Sequence, residues 1–129
     1  MPLNLYVHLS WTTDGRLPMI GSSEDKFLRA FLPAEAKRQG ADVAAIGVVA
    51  NHLHLVIRLP GVFNIPRLVQ GLKGASARLM NQDSGVSRNG IKWAKGYDLR
   101  SVSPGHLNRA IRYVAQQAAH HPRHAIPSD

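Results

Sequence analysis

The chain contains no cysteine. That excludes a disulfide scaffold, an iron–sulfur cluster and a thiolate zinc site at once. Acid is scarce as well: eight Asp and Glu stand against sixteen Lys and Arg, for a net charge of +8. Of those acids only Glu24 and Asp25 are adjacent, so a two-metal site built from carboxylates has no obvious home. Long hydrophobic runs are missing, and the longest, Val43 to Ala50, is too short to cross a bilayer. The opening Met1-Pro2-Leu3-Asn4 lacks the basic start and apolar stretch of a secretory signal. The expectation is a soluble, cytoplasmic protein with no membrane span.

What is present suits one globular domain spanning residues 1–129, since 44% of the chain is hydrophobic. Its charge is unevenly placed. Before Arg58 five basic residues face five acids, whereas from Arg58 onward eleven basic residues face three acids. Such asymmetry points to a polyanionic partner, nucleic acid before anionic lipid, with a merely solubilising charge as the plain alternative.

Residues 3–12 alternate. Leu3, Leu5, Val7, Leu9 and Trp11 point one way, and Asn4, Tyr6, His8, Ser10 and Thr12 the other, as in a half-buried strand. Asp14-Gly15 turns the chain. Ser23-Glu24-Asp25 reads as a helix start, with Phe27, Leu28, Phe31 and Leu32 at helical spacing. Pro33 is expected to break or kink that helix, and Gly40 to stop it. Val43–Ala50 and His52–Leu59 read as two strands, and the short connection through Asn51 favours an antiparallel hairpin. Asn64 and Pro66 open a second helix with an apolar stripe of Ile65, Leu68, Val69, Leu72 and Leu79. Residues 82–90 form a polar loop. Trp93–Val102 reads as a strand bent at Lys95-Gly96, and Ser103-Pro104 starts a last helix running to about His120. The order strand, helix, strand, strand, helix, strand is that of the ferredoxin-like (RRM-like) α+β fold. It has an antiparallel sheet with two helices on one face, here followed by an extra C-terminal helix.

The third strand reads NHLHLVIRL. Leu53, Leu55, Ile57 and Leu59 share one face; His52, His54, Val56 and Arg58 share the other. The two imidazoles point the same way, roughly 7 Å apart along the strand. That suits two ligands on one metal ion, or simply two surface histidines; the strand alone leaves both open. On the last helix Leu107, Ile111, Val114 and Ala118 form an apolar stripe, and His106, Tyr113, Gln117 and His120 a polar one beside it. If the apolar stripe packs on the open sheet face or edge, the polar one overlooks His52 and His54. Gln117 then offers an amide oxygen as a third ligand, and Tyr113 a hydroxyl beside the metal. A metal, a basic surface and a phenol together suggest phosphoryl transfer, in which a cation offsets charge at the scissile phosphate. A phenol needs activation or close positioning before it attacks phosphorus.

NHLHLVI resembles the His-hydrophobe-His signature of HUH endonucleases. YVAQQAAHH, with Tyr113, Gln117 and His120-His121, resembles the final helix of single-tyrosine HUH transposases of bacterial insertion sequences. LYVHLSWTT, AIGVVANHLHLVI, LKGASARLMN and KWAKGYDLRSVSP fit in the same order, so the resemblance runs from Leu5 to His121. It implies a homodimer and a divalent ion, Mg2+ or Mn2+, held by His52, His54 and Gln117. Tyr113 would be the nucleophile, forming a 5′-phosphotyrosine and leaving a 3′-OH. The implied substrates are single-stranded transposon ends folded into imperfect hairpins, and the tyrosine helix would act in its own or the partner's site. Two other readings keep parts of this picture: a domesticated relative acting on repetitive palindromes, and a non-catalytic ferredoxin-like nucleic-acid-binding module. Lys73, Arg78, Lys92, Lys95, Arg100, Arg109 and Arg112 are candidates for phosphate contact. Trp93 is expected in the core rather than stacked on a base. His8 is not counted as a ligand, and His120 and His121 are read as cations closing the helix.

Overall fold

A computed structural model of the chain describes residues 4–82, 86–117 and 124–126. Its strands are β1 (Asn4–Thr12), β2 (Asp42–Val49), β3 (His52–Pro60) and β4 (Asp98–Val102). Helix α1 (Ser22–Arg38) joins β1 to β2. After β3, α2 (Ile65–Gln70) passes through a π-helical turn (Gly71–Ala75) into α3 (Ser76–Met80), and α4 (Leu107–Ala115) follows β4. The strands pair antiparallel in the order β2-β3-β1-β4. The ferredoxin-like α+β arrangement is therefore present, with β3 inserted between β1 and β2.

Alternation decides the two faces. Val7, Leu9 and Trp11 of β1 and Leu53, Leu55, Ile57 and Leu59 of β3 are buried against the helices. Leu28, Leu32 and Ala36 of α1, with Leu68, Leu72 and Met80 of the second helical stretch, complete that core. Burying each large aliphatic side chain is worth about 1.5–3 kcal/mol, which makes this layer the main source of stability. Trp93 joins it as expected, edge-on to Trp11 and donating to the Ser76 hydroxyl.

Three expectations need correction. Helix α1 continues through Pro33 to Arg38, because the buried side chains on both sides of the proline outweigh its cost of about 3 kcal/mol. It starts two residues earlier than a Ser23 cap would place it. Gly21 is the cap residue, and the Glu24 carboxylate accepts its N–H. Its stop at Gly40 holds: Gly40 has φ of 91°, and the Gly40 and Ala41 N–H groups reach back to the Lys37 and Ala36 carbonyls. In the second helical stretch the buried positions after Leu72 are Ser76 and Met80, with Leu79 only half-buried. The π turn inserts the extra rotation that a regular helical stripe cannot foresee. The fourth strand is the third correction. Only Asp98–Val102 pairs along β1, and Trp93 makes a single bridge to Thr13. Between them the Lys73 ammonium takes the Ala94 and Gly96 carbonyls, and Gly96 adopts φ of 82°.

The last helix begins with a single 3-10 turn at Pro104–His106, and the Ser103 hydroxyl pairs with His106 Nδ1. Ala118, His120, His121 and Pro122 lie outside the described residues. Among those described, no helix is long and apolar enough to cross a membrane.

Candidate active site

The face of the sheet away from α1 carries the polar side of β1 and β3. In the strand register His52 lies between Val49 and Thr12, and His54 between Gly47 and Ser10. A bulge at Val43/Ala45 sets that pairing for β2. The His52 and His54 rings stand 5.2 Å apart between centroids, and His52 is 9% exposed. His54 is half-buried, so neither ring is splayed into water.

Helix α4 packs on this face. Val114 is fully buried, and Leu107 and Ile111 are half-buried. Gly47 makes the approach possible: a Cβ there would lie 1.9 Å from the Val114 carbonyl oxygen and 2.7 Å from Gln117 Cγ. The helix thus brings Tyr113 edge-on to His54, ring centroids 6.4 Å apart. Gln117 is 1% exposed. Its amide nitrogen donates to the Tyr113 carbonyl, while its Oε1 is buried with no hydrogen-bond partner. An orphaned buried acceptor costs about 1–3 kcal/mol, and a cation would satisfy it. No three His, Cys, Asp or Glu side chains among the described residues form a metal cage. A cation here would need the Gln117 amide or solvent beside the two imidazoles, and that nitrogen-and-oxygen set suits manganese or zinc and admits magnesium.

Tyr113 stands between two cavities. One, of about 310 Å³, is lined by Ser10, Thr12, Arg16, His52, His54 and His124. The other, of about 420 Å³, is lined by His8, Arg100, His106 and Arg109. Two of the basic candidates therefore flank the phenol. Arg112 is exposed on α4, whereas Lys73, Arg78, Lys92 and Lys95 line neither cavity. Arg78 belongs to the helix layer on the other face, and Lys92 sits 3.8 Å from Asp14. Lys73 spends two of its three donors on the loop carbonyls, and burial holds its ammonium below the ordinary lysine range.

Three contacts escaped the sequence reading. His8 Nε2 lies 2.8 Å from His54 Nδ1, a diagonal that depends on the β1–β3 register. Burial lowers the His8 pKa, with Asp98 opposing that shift and Arg100 adding to it. Asn51, legible only as a polar break between strands, accepts at Oδ1 from His52 Nδ1 over 2.8 Å. His124 lies 6.0 Å from His52 between ring centroids, and its carbonyl accepts the Ala50 N–H.

Residues 2–117 match the family model of IS200-like transposases. Over 117 residues the chain is 28% identical to the ISDra2 transposase TnpA of Deinococcus radiodurans, covering 88% of this chain and 84% of that protein. A crystal structure of a candidate transposase from Deinococcus radiodurans superposes with a TM-score of 0.66 at 25% identity, over 97% of this chain and 94% of that one. The REP-associated tyrosine transposase bound to a REP hairpin gives a TM-score of 0.72 at 11% identity, over 94% and 71% of the two chains; this second likeness is one of fold.

Proposed function

Because the chain belongs to the family of IS200-like transposases, we propose that it cuts and rejoins single-stranded DNA through a covalent bond between Tyr113 and a 5′-phosphate, beside a divalent cation. The observation that carries this reading is the Tyr113 ring 6.4 Å from His54, on the same face as the buried, unpartnered Gln117 oxygen. His52, His54 and Gln117 would hold the cation, Mg2+ or Mn2+. Once bound, it would polarise the phosphate and offset charge in the transition state.

The Tyr113 oxygen attacks phosphorus as its proton departs, and the bond from phosphorus to the 3′-oxygen breaks. That oxygen takes up a proton and leaves as a 3′-OH, while the 5′ side stays on the tyrosine. Attack by a 3′-OH reverses the exchange and frees the phenol, so one phosphodiester replaces another and no outside energy source is needed. Arg100 and Arg109 hold backbone phosphates on the far side of the phenol. A hairpin-bearing single strand is the proposed substrate, supported by the fold shared with a transposase bound to a hairpin. The cytoplasm is the proposed compartment and a homodimer the proposed assembly, checked by particle mass in solution.

The decisive experiment incubates the protein with Mn2+ and a labelled hairpin oligonucleotide. A protein–DNA adduct is expected, lost with chelator and in Tyr113→Phe. An undiminished adduct in Tyr113→Phe overturns the reading.

A further inference from the structure

A histidine that binds a cation must present a lone-pair nitrogen, and the hydrogen bond at its other nitrogen decides which one that is. At His52 the Nδ1 side allows a single assignment. The Asn51 Nδ2 lies 3.3 Å from the Arg16 carbonyl oxygen, which can only accept. That orients the amide and turns Oδ1, also only an acceptor, toward His52 Nδ1 at 2.8 Å. His52 Nδ1 therefore carries a hydrogen, and in the neutral ring Nε2 is the lone-pair nitrogen.

The brace is itself fixed. Asn51 is 6% exposed, and its backbone carbonyl accepts from the Thr13 N–H and hydroxyl. Arg16, whose carbonyl holds the amide, has φ of 57°, a conformation that non-glycine residues seldom adopt. The turn after β1 thus reaches across to the turn between β2 and β3. From this geometry we infer that Asn51 is the positioning residue of the His52 ring, locking its Nδ1–H tautomer and orientation through the Arg16 carbonyl. The inference deepens the reading of His52 as a ligand and rests on it for its consequence, not for the state of the ring.

The test is nitrogen-15 NMR of histidine-labelled, metal-free protein, with His52 assigned by the signals that vanish in His52→Ala. The wild type is expected to show His52 in the Nδ1–H form. Asn51→Leu should shift it toward a mixture of tautomers. Mn2+ affinity should fall about 10–100-fold in Asn51→Leu. A wild-type ring protonated at Nε2 overturns the inference without any variant, and so does an Asn51→Leu protein with unchanged ring state and Mn2+ affinity. If the wild type binds no Mn2+, or His52→Ala binds it equally well, the metal reading fails while the tautomer still decides the role of Asn51.

Discussion

Gly47 of β2 lies so close beneath Val114 of α4 that a methyl group on it would overlap the Val114 carbonyl oxygen, 1.9 Å away. Backbone and helix meet there with nothing between them. Gly47→Ala should therefore lift α4 and carry Tyr113 and Gln117 away from the imidazoles. Adduct formation is expected to fall at least about tenfold, with a stability loss of about 1–3 kcal/mol by thermal or urea unfolding. Gly74→Ala is the control. Its new methyl would meet nothing within 4 Å, so activity should be unchanged and stability equal or slightly higher.

Gln117 should show a trade between stability and metal binding. Gln117→Met removes an acceptor buried without a partner, so the metal-free protein should gain up to about 1–3 kcal/mol in urea unfolding. The same variant should lose the rise in melting temperature that Mn2+ gives the wild type. A variant that is both less stable and equally stabilised by Mn2+ contradicts the role given to this amide.

Arg100 and Arg109 share a cavity with Tyr113, whereas Arg78 lies in the helix layer on the opposite face. Arg100→Ala and Arg109→Ala should each weaken single-stranded DNA binding and reduce the slope of log affinity against log salt by about 0.7 for every phosphate left without its arginine. Arg78→Ala should change neither quantity appreciably. Fluorescence anisotropy with a labelled oligonucleotide across a salt series reads both.

Glu35 gives the fold an acid limit. Hydrogen bonds from Arg38, helped by one from Gln39, hold its carboxyl below the ordinary value of 4.5, and burial opposes them. A depressed carboxylate pKa means that its stabilisation is complete above about pH 4.5 and disappears as pH falls through the lower folded-state value. Urea unfolding between pH 3 and 6 should accordingly be less steep with pH in Glu35→Gln than in the wild type.

Much of this was legible because it depends on local order. Alternation fixed the faces of β1 and β3, and Asn64 does cap α2, accepting the Arg67 N–H. The last helix was legible only in part: regular α4 ends at Ala115, Gln116 departs from helical geometry, and Gln117 is buried where spacing put it on an open polar side with Tyr113. What escaped depends on register or on distant partners. Pro33 stays helical because of the core beneath it, and Ser76 and Met80 replace Leu79 inside because of one π turn. The His8–His54 contact needs two strands aligned to the residue. Asn51 looked like a turn residue because its amide finds its other partner 35 positions away.

Strand β3 is hydrogen-bonded on both edges, with β1 on one side and β2 on the other. Helix α4 belongs to no ladder, and Val114 is its only fully buried apolar side chain. Local opening free energies must differ accordingly: amides at His52 and His54 should exchange with solvent only on global unfolding, and those of α4 far sooner. On the proposed reading the imidazoles would sit on the most protected strand, and Tyr113 would ride on the segment that opens most readily.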